Sequence, residues 1–171
     1  MSDQPRTAIL FVCLGNICRS PLAEGIFRQA VAQAGAAERF EIDSAGTGAW
    51  HVGSPPDPRS VDVARRHGID LTGQRARRLV AGDFTRFDLL LGMDRSNVET
   101  MKAAAPAACS NRVHLFGAYA TGRAFEVPDP YYDRGDGFER VYLMLREASD
   151  RLVDRLVRAS VPPSGQVSSI R

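Results

Sequence analysis

The sequence contains little of what marks secreted, membrane or nucleic-acid-binding proteins. Only three of its 171 residues are cysteines, an odd and small number that fits a reducing compartment better than a disulfide-bonded scaffold. The formal net charge is only +2, and no run of five or more basic residues indicates a nucleic-acid partner. The apolar stretch near the N-terminus is too short for a signal sequence and far too short for a membrane span. We therefore expect a cytoplasmic protein with neither a nucleic-acid nor a membrane partner.

The length and the 44% hydrophobic content suffice for one well-packed core but not for two independent domains. We expect one compact domain over residues 1–159, present as a monomer. The remaining residues, 160–171, end in PPSGQVSSIR, a composition that predicts a flexible tail.

Apolar segments that alternate with helical patterns indicate the fold class. A continuous apolar run predicts a first strand at 8–12, a strongly apolar segment predicts another at 87–93, and shorter strands are predicted at 40–43 and 113–116. Apolar residues at three- and four-residue steps predict helices at 21–34 and 138–156, with Ser20 as the N-cap of the first. Two further helices are predicted at 59–67, ended by Gly68, and at 95–105, before Pro106. The stretch 44–58, rich in Gly, Pro and Ser, predicts a long loop. The sequence thus predicts an α/β fold of three layers, with a mainly four-stranded parallel sheet flanked by helices and a functional site beyond the carboxyl ends of the strands.

The segment CLGNICRSP, between the first predicted strand and the first predicted helix, has the form C-x5-R-S. The backbone N–H groups of residues 14–19 can point inward around such a tight loop, and the positive end of the helix dipole adds to their attraction for an anion. Gly15 lets the backbone curl, Asn16 tolerates a left-handed conformation, and Arg19 offers two donors to two phosphate oxygens. The sequence therefore predicts a phosphate-binding loop after the first strand.

The same loop can make Cys13 a nucleophile. The electrostatic field at a helix N-terminus stabilises a thiolate, and Ser20 can donate its hydroxyl to the sulfur. The C-x5-R pattern by itself fits equally well a buried cysteine at a strand end and a surface arginine. The strand before the loop, the Ser-Pro helix start after it, and the glycine and asparagine inside it favour catalysis.

Together these residues resemble a known family, because CLGNICRSP is similar to the phosphate-binding loop of the low-molecular-weight protein tyrosine phosphatases. Further similar segments follow in the same order: IDSAGTGAWHVGSPPD at 42–57, RRHGI at 65–69, DFTRFDLLLGMDRSN at 83–97 and VPDPYY at 127–132. The resemblance implies a protein tyrosine phosphatase that hydrolyses phosphotyrosine, and small aryl phosphates, through a cysteinyl-phosphate intermediate. It implies a phosphotyrosine-containing protein as the partner, and no metal ion or organic cofactor.

The resemblance also implies catalytic roles for individual residues. Cys13 would be the nucleophile, with Arg19 binding the phosphate and Ser20 assisting the thiolate. Asp129, in the PDP motif, would protonate the departing phenolate, whose conjugate acid has a pKa of about 10. Without the resemblance, an aspartate between two prolines is more typical of a turn.

Aromatic side chains are expected to form the walls of the pocket. Trp50, Tyr131 and Tyr132 would stack on an aryl group and make the pocket deep enough for phosphotyrosine, although aromatic residues belong as often to a core. In the family the two tyrosines are also phosphorylation sites, which is a hypothesis for this chain. The position of Ile17 is a threonine in relatives that act on phosphoarginine, so isoleucine favours an aryl substrate. The loop provides the remaining substrate contacts: Leu14, Gly15, Asn16, Ile17 and Cys18.

Two more roles are implied by the resemblance. Ser44 would support the loop through hydrogen bonds with Asn16. Cys18 would form a reversible disulfide with Cys13 on oxidation and so protect the nucleophile. The alternative for Cys18 is a small buried hydrophobic residue.

Other functions fit parts of the sequence. An arsenate reductase could use the same anion loop but needs two further cysteines close together, and the chain has none between Cys18 and Cys109. An inactive phosphotyrosine-binding module would not need to retain the catalytic residues. Cys13, Cys18, Cys109 and His114 could form a zinc site, and Cys13 with one of the three histidines could form a cysteine protease dyad. A Walker-type nucleotide loop is excluded because its Gly-Lys-Ser/Thr motif is missing.

Overall fold

The computed structural model describes residues 4–159, and the predicted tail at 160–171 lies outside the described residues. Within this range the chain forms four strands: β1 (Thr7–Cys13), β2 (Phe40–Gly46), β3 (Leu89–Gly92) and β4 (Val113–Leu115). Neighbouring strands pair in parallel, in the order β2-β1-β3-β4. The predicted four-stranded parallel sheet is therefore confirmed.

Helices connect these strands and cover the sheet. Residues 4–159 contain six: α1 (Arg19–Gln33), α2 (Pro58–Arg66), α3 (Asp83–Arg86), α4 (Arg95–Ala104), α5 (Phe116–Thr121) and α6 (Gly137–Val153). Short 3-10 or π-helical turns add to them at Ala37–Arg39, Ala107–Arg112 and Asp154–Arg158. None of these helices combines the length and the apolar character that crossing a membrane requires.

Both faces of the sheet are buried, because successive side chains of a strand point to opposite sides. The odd-numbered residues 9–13 of β1 pack toward α1, α5 and α6, and the even-numbered residues 8–12 pack with α3 and α4. On the first face, Phe11 meets Phe27 and Phe116 edge to face, with ring centroids 5.7 and 5.2 Å apart. The predicted arrangement in three layers is therefore confirmed.

The strand order changes direction at β1, because the chain adds β2 on one side of this strand and β3 on the other. The chain passes from β1 through α1 to β2 on one side, and then returns across β1 to β3 on the other. Open α/β sheets bind ligands in the crevice at such a point. Cys13 is the last residue of β1, so the loop that follows it lies at this crevice.

Two local predictions were wrong, and two short helices were missed. The second strand continues to Gly46, because 44–46 extend the parallel register with 11–13 of β1, so the loop predicted at 44–58 is shorter. Ser20 is not an N-cap, because α1 begins at Arg19 and the Ser20 hydroxyl is bonded to other side chains. Helices α3 and α5 are not predicted at all, since they contain too few residues to show a helical period.

Candidate active site

The loop at the end of β1 surrounds the sulfur of Cys13. Cys13 is buried, and its Sγ lies 3.0 Å from Ser20 Oγ. The backbone N–H of Asn16 donates to the same sulfur, with nitrogen and sulfur 3.3 Å apart. These contacts place a hydroxyl group and a backbone amide against the sulfur.

Asn16 is the centre of a hydrogen-bond network beneath the loop. Its backbone φ is +54°, a left-handed conformation that asparagine tolerates. Its Oδ1 accepts the backbone N–H of Arg77 at 3.0 Å, and its Nδ2 donates to Ser20 Oγ at 2.8 Å and to Ser44 Oγ at 3.0 Å. The side chain of Asn16 therefore joins the loop to β2 and to the segment around Arg77, and the expected contact with Ser44 is present.

This network determines which way the Ser20 hydroxyl points. A backbone N–H can only donate, so the Arg77 amide requires Asn16 Oδ1 to face it, and Nδ2 must then face the two serines. Each serine oxygen accepts from Asn16 and has one proton left to donate. Ser44 donates its proton to Glu24 Oε1 at 2.8 Å. Two acceptors lie near the Ser20 hydroxyl, Cys13 Sγ at 3.0 Å and the carbonyl oxygen of Ala45 at 3.5 Å, and the sulfur is the nearer one. Ser20 is thus oriented as a donor to the sulfur.

Glu24 is a buried carboxyl group at the far end of this network, and sequence reasoning missed it. Burial raises the pKa of Glu24, although hydrogen bonds from Ser44 and the nearby Arg28 oppose the effect. The Arg28 Nε lies 3.0 Å from Glu24 Oε2, one helical turn away on α1. A signal existed in the sequence, because Glu24 lies among the apolar residues of α1 that face the sheet.

Arg19 lies at the start of α1 with its guanidinium in the pocket. Its side chain is only 3% exposed, and its Nη1 donates to Asp94 Oδ2 at 2.6 Å and to the carbonyl of Val127 at 3.1 Å. Burial lowers the pKa of Arg19, but the negative charges of Cys13, Asp94 and Asp129 outweigh it and leave that pKa above its usual value. The guanidinium is therefore charged and held in one orientation.

Asp94 is a second residue that sequence reasoning missed. One carboxylate oxygen accepts the backbone N–H of Asn97 at 2.8 Å and so caps α4, while the other binds Arg19. The motif MDRSN contains a capping signal at this place, but only the fold brings it to an arginine 75 residues away. Asp94 thus ties the Arg19 guanidinium to the segment that follows β3.

The pocket above the loop contains most of the residues that the sequence singled out, whereas Asn16, which was predicted to contact the substrate, is buried beneath the loop with Ser20 and Ser44. The pocket is lined by Cys13, Leu14, Gly15, Ile17, Cys18, Arg19, Trp50, His51, Asp129, Tyr131 and Tyr132. Trp50 and Tyr132 are 74% and 89% exposed, so they form the rim and do not belong to the core. His51 is a third residue that was missed as a pocket residue, and its ring packs against Gly15, where a Cβ would lie 3.0 Å from His51 Cδ2.

Asp129 faces the loop from the segment between α5 and α6. Its Oδ2 lies 3.8 Å from Nη2 of Arg19, and its Oδ1 accepts the backbone N–H of Tyr131 at 3.1 Å. The side chain is 44% exposed, so a proton can be exchanged with solvent. The arrangement places a carboxyl group, a guanidinium and a sulfur around one site that is open to a phosphate ester.

The geometry disagrees with two of the alternative functions. Cys109 packs in the core on the opposite face of the sheet from Cys13 and Cys18, so the zinc site and a relay to a third cysteine are both wrong. Among residues 4–159, no three His, Cys, Asp or Glu side chains are grouped as a metal site requires. Two histidines lie elsewhere, since His67 stacks on Tyr142 and His114 lies against Tyr119.

Comparison with known proteins agrees with this geometry. Residues 8–161 match the family model described as low molecular weight phosphotyrosine protein phosphatase. A protein of that name from Schizosaccharomyces pombe is 48% identical over 147 residues, which cover 85% of this chain and 94% of the relative. The Homo sapiens protein of that name is 40% identical over 144 residues, which cover 83% of this chain and 90% of the relative. The crystal structure of YfkJ from Bacillus subtilis superposes with a TM-score of 0.86 at 34% identity, covering 94% of this chain and 100% of that one. The chain therefore belongs to the low molecular weight phosphotyrosine protein phosphatase family.

Proposed function

We propose that this protein hydrolyses phosphotyrosine in protein substrates, and small aryl phosphates, through a cysteinyl-phosphate intermediate. The observation that carries the proposal is the single pocket that contains the Cys13 sulfur, the Arg19 guanidinium and the Asp129 carboxyl group. Family membership supports the same reaction, because the relatives are named phosphotyrosine protein phosphatases.

In the first step, the Cys13 thiolate attacks phosphorus while the bond from phosphorus to the tyrosine oxygen breaks. Arg19 and the loop amides bind the equatorial phosphate oxygens, whose charge they neutralise in the transition state. Asp129 gives its proton to the departing phenolate oxygen, so tyrosine leaves as the neutral phenol. The products of this step are a phosphorylated Cys13 and an Asp129 carboxylate.

In the second step, water attacks the phosphorus of the phosphocysteine. Asp129, now ionised, takes a proton from that water, and the sulfur leaves as a thiolate. The Ser20 hydroxyl keeps its proton and donates a hydrogen bond to the departing thiolate, which makes the sulfur a better leaving group. Inorganic phosphate then leaves and the starting protonation states are restored.

The rim of the pocket supports an aryl substrate. Trp50, Tyr131 and Tyr132 surround the opening, and the rings of the two tyrosines pack edge to face with centroids 4.9 Å apart. Ile17 lines the pocket with an apolar side chain, which favours a phenyl ring over a guanidinium. Every protein group that takes part in the reaction belongs to one chain, and we propose that the protein acts as a monomer in the cytoplasm.

Cys18 supports a protective role under oxidation. It lines the same pocket as Cys13, and burial, together with the charges of Asp57, Cys13 and Asp129, raises the pKa of its thiol. When peroxide converts Cys13 to a sulfenic acid, the Cys18 sulfur attacks the Cys13 sulfur, and water leaves with the thiol proton. Peptide mapping after mild peroxide treatment should find a disulfide between Cys13 and Cys18, and its absence would refute this role.

The direct test is the hydrolysis of para-nitrophenyl phosphate in the presence of EDTA by the native protein and by Cys13→Ser. We expect turnover that does not depend on a metal ion and that the substitution abolishes. Equal turnover by the two proteins would contradict the proposed nucleophile.

A further inference from the structure

We propose that Arg59 is a positioning residue that holds the general acid Asp129 at the phosphate site. It does so by bridging the Cys13 loop to the segment that contains Asp129. This inference rests on the proposed function, because it assumes that Asp129 protonates the leaving group.

One end of the bridge is fixed beside the Cys13 loop by Asp57. Arg59 Nε and Nη2 lie 3.0 and 2.9 Å from the two carboxylate oxygens of Asp57, a paired contact that restricts rotation of the guanidinium. The backbone N–H of Asp57 donates to the carbonyl of Ile17 at 2.8 Å, inside the loop itself. Burial alone would raise the pKa of Asp57, but the hydrogen bonds and charge of Arg59 outweigh it and lower that pKa. Asp57 is therefore a charged and well-anchored support.

The other end of the bridge reaches Tyr131. The remaining guanidinium nitrogen of Arg59, Nη1, donates to the carbonyl of Tyr131 at 3.0 Å. The guanidinium carbon also lies 4.5 Å from the ring centroid of Phe138 and 5.5 Å from that of Tyr131, within the range of cation–π contacts. The Arg59 side chain, on the first turn of α2, thus contacts the N-cap of its own helix, the segment before α6, and the first turn of α6.

Tyr131 passes this restraint on to Asp129. Its carbonyl is held by Arg59, while its own N–H donates to Asp129 Oδ1 at 3.1 Å. The second oxygen of Asp129 then points toward Arg19, at 3.8 Å from Nη2. The two bonds lie on either side of the Tyr131 Cα, so restraining this residue restrains one oxygen of the acid and leaves the other over the phosphate site.

The segment 128–136 has few other restraints. It contains no helix or strand, and within the described residues its backbone receives one hydrogen bond from outside itself and α6, the bond from Arg59. Without that bond the Asp129 carboxyl group would sample more positions, and general acid catalysis requires it within hydrogen-bond reach of the leaving oxygen. Loss of Arg59 should therefore affect proton delivery more than attack by the sulfur.

Two substrates separate proton delivery from attack. A nitrophenolate is a weak base that leaves without a proton, whereas phenolate, whose conjugate acid has a pKa of about 10, needs one. General acid catalysis contributes about a hundredfold or more to such steps. The values of kcat/KM for para-nitrophenyl phosphate and phenyl phosphate should be measured for the native protein, Asp129→Asn, Arg59→Met and Arg59→Lys. Arg66→Met is the matched control, since Arg66 lies on the same helix and pairs with Asp62 and Glu139 away from the pocket.

We expect Arg59→Met to lower kcat/KM for phenyl phosphate by about tenfold, and for para-nitrophenyl phosphate by less than about threefold, in the same direction as Asp129→Asn. Arg59→Lys keeps the positive charge but not the planar fork, so it should show the same selective loss. Arg66→Met should leave both values unchanged.

An equal loss for both substrates in Arg59→Lys, or no loss for either, would overturn the inference, because a purely structural role does not distinguish leaving groups. Arg59→Lys gives this answer even when Arg59→Met does not fold. Native turnover that survives Cys13→Ser would instead refute the proposed function, so the two failures are distinguishable.

Discussion

Replacing Gly46 with alanine should damage the Cys13 loop without touching any catalytic side chain. Gly46 is the last residue of β2 and pairs with Cys13 across the sheet. A Cβ on this residue would lie 2.8 Å from the carbonyl oxygen of Leu14 and 3.1 Å from the nitrogen of Asn16. Both are backbone atoms of the loop, so a change of rotamer cannot relieve the contact.

The neighbouring bonds decide how large the effect is. Gly46 cannot move away easily, because its N–H donates to the carbonyl of Arg77 at 2.9 Å and its carbonyl accepts the N–H of Leu79 at 2.8 Å. Inserting a methyl group into a packed interior costs about 1–3 kcal/mol of stability. A displacement of the loop by about 1 Å at the reacting groups can lower the rate about a hundredfold. We therefore expect Gly46→Ala to lose about 2 kcal/mol of unfolding free energy and at least tenfold in kcat/KM.

Gly73→Ala is the matched control, because no heavy atom lies within 4 Å of a Cβ at that position. The free energy of unfolding should be measured by denaturant titration, and kcat/KM with para-nitrophenyl phosphate. The reasoning is refuted when Gly46→Ala and Gly73→Ala have the same stability and the same kcat/KM.

Three further predictions concern ionisable groups. Asp94→Asn should keep the cap of α4 but lose the charged partner of Arg19, so denaturant titration should show a loss of about 2 kcal/mol, and an unchanged stability would contradict the pairing. Because the pKa of Cys18 is raised, iodoacetamide near neutral pH should alkylate Cys13 and not Cys18, and equal labelling in peptide maps would disprove this. Burial raises the pKa of Glu24, so its contribution to stability is complete below its unfolded value of about 4.3 and is lost as pH rises through the folded value. The unfolding free energy of native protein minus that of Glu24→Gln should therefore fall as pH rises above about 4.3, and a difference that grows with pH would contradict the buried position of this carboxyl group.

The fold could be predicted because its signals are local. The apolar run of β1 is buried on both faces, and Gly35 ends α1 in a left-handed conformation with φ +69°, as a stop signal predicts. The loop from Cys13 to Arg19 carries its chemistry within a few consecutive residues. Strand, loop and helix were therefore predictable without any knowledge of distant contacts.

The parts that could not be predicted depend on partners far apart in the sequence. Ser20 has the local signature of an N-cap, but its hydroxyl is bonded to Asn16 and Cys13 instead. Arg59 and Tyr131 are 72 residues apart, and no period or motif announces their hydrogen bond. Tertiary contacts of this kind override local preference, and they are concentrated around the site.

The central claim is that Cys13 accepts the phosphoryl group, and trapping the intermediate tests it most directly. Asp129→Ala should be mixed with para-nitrophenyl phosphate and quenched in acid within the first turnover. In this variant the good leaving group still permits attack, while hydrolysis of the phosphocysteine lacks its base. Mass spectrometry should find one added phosphoryl group on the peptide that contains Cys13. A phosphoryl group on another residue, or turnover without any phosphorylated peptide, would contradict the account.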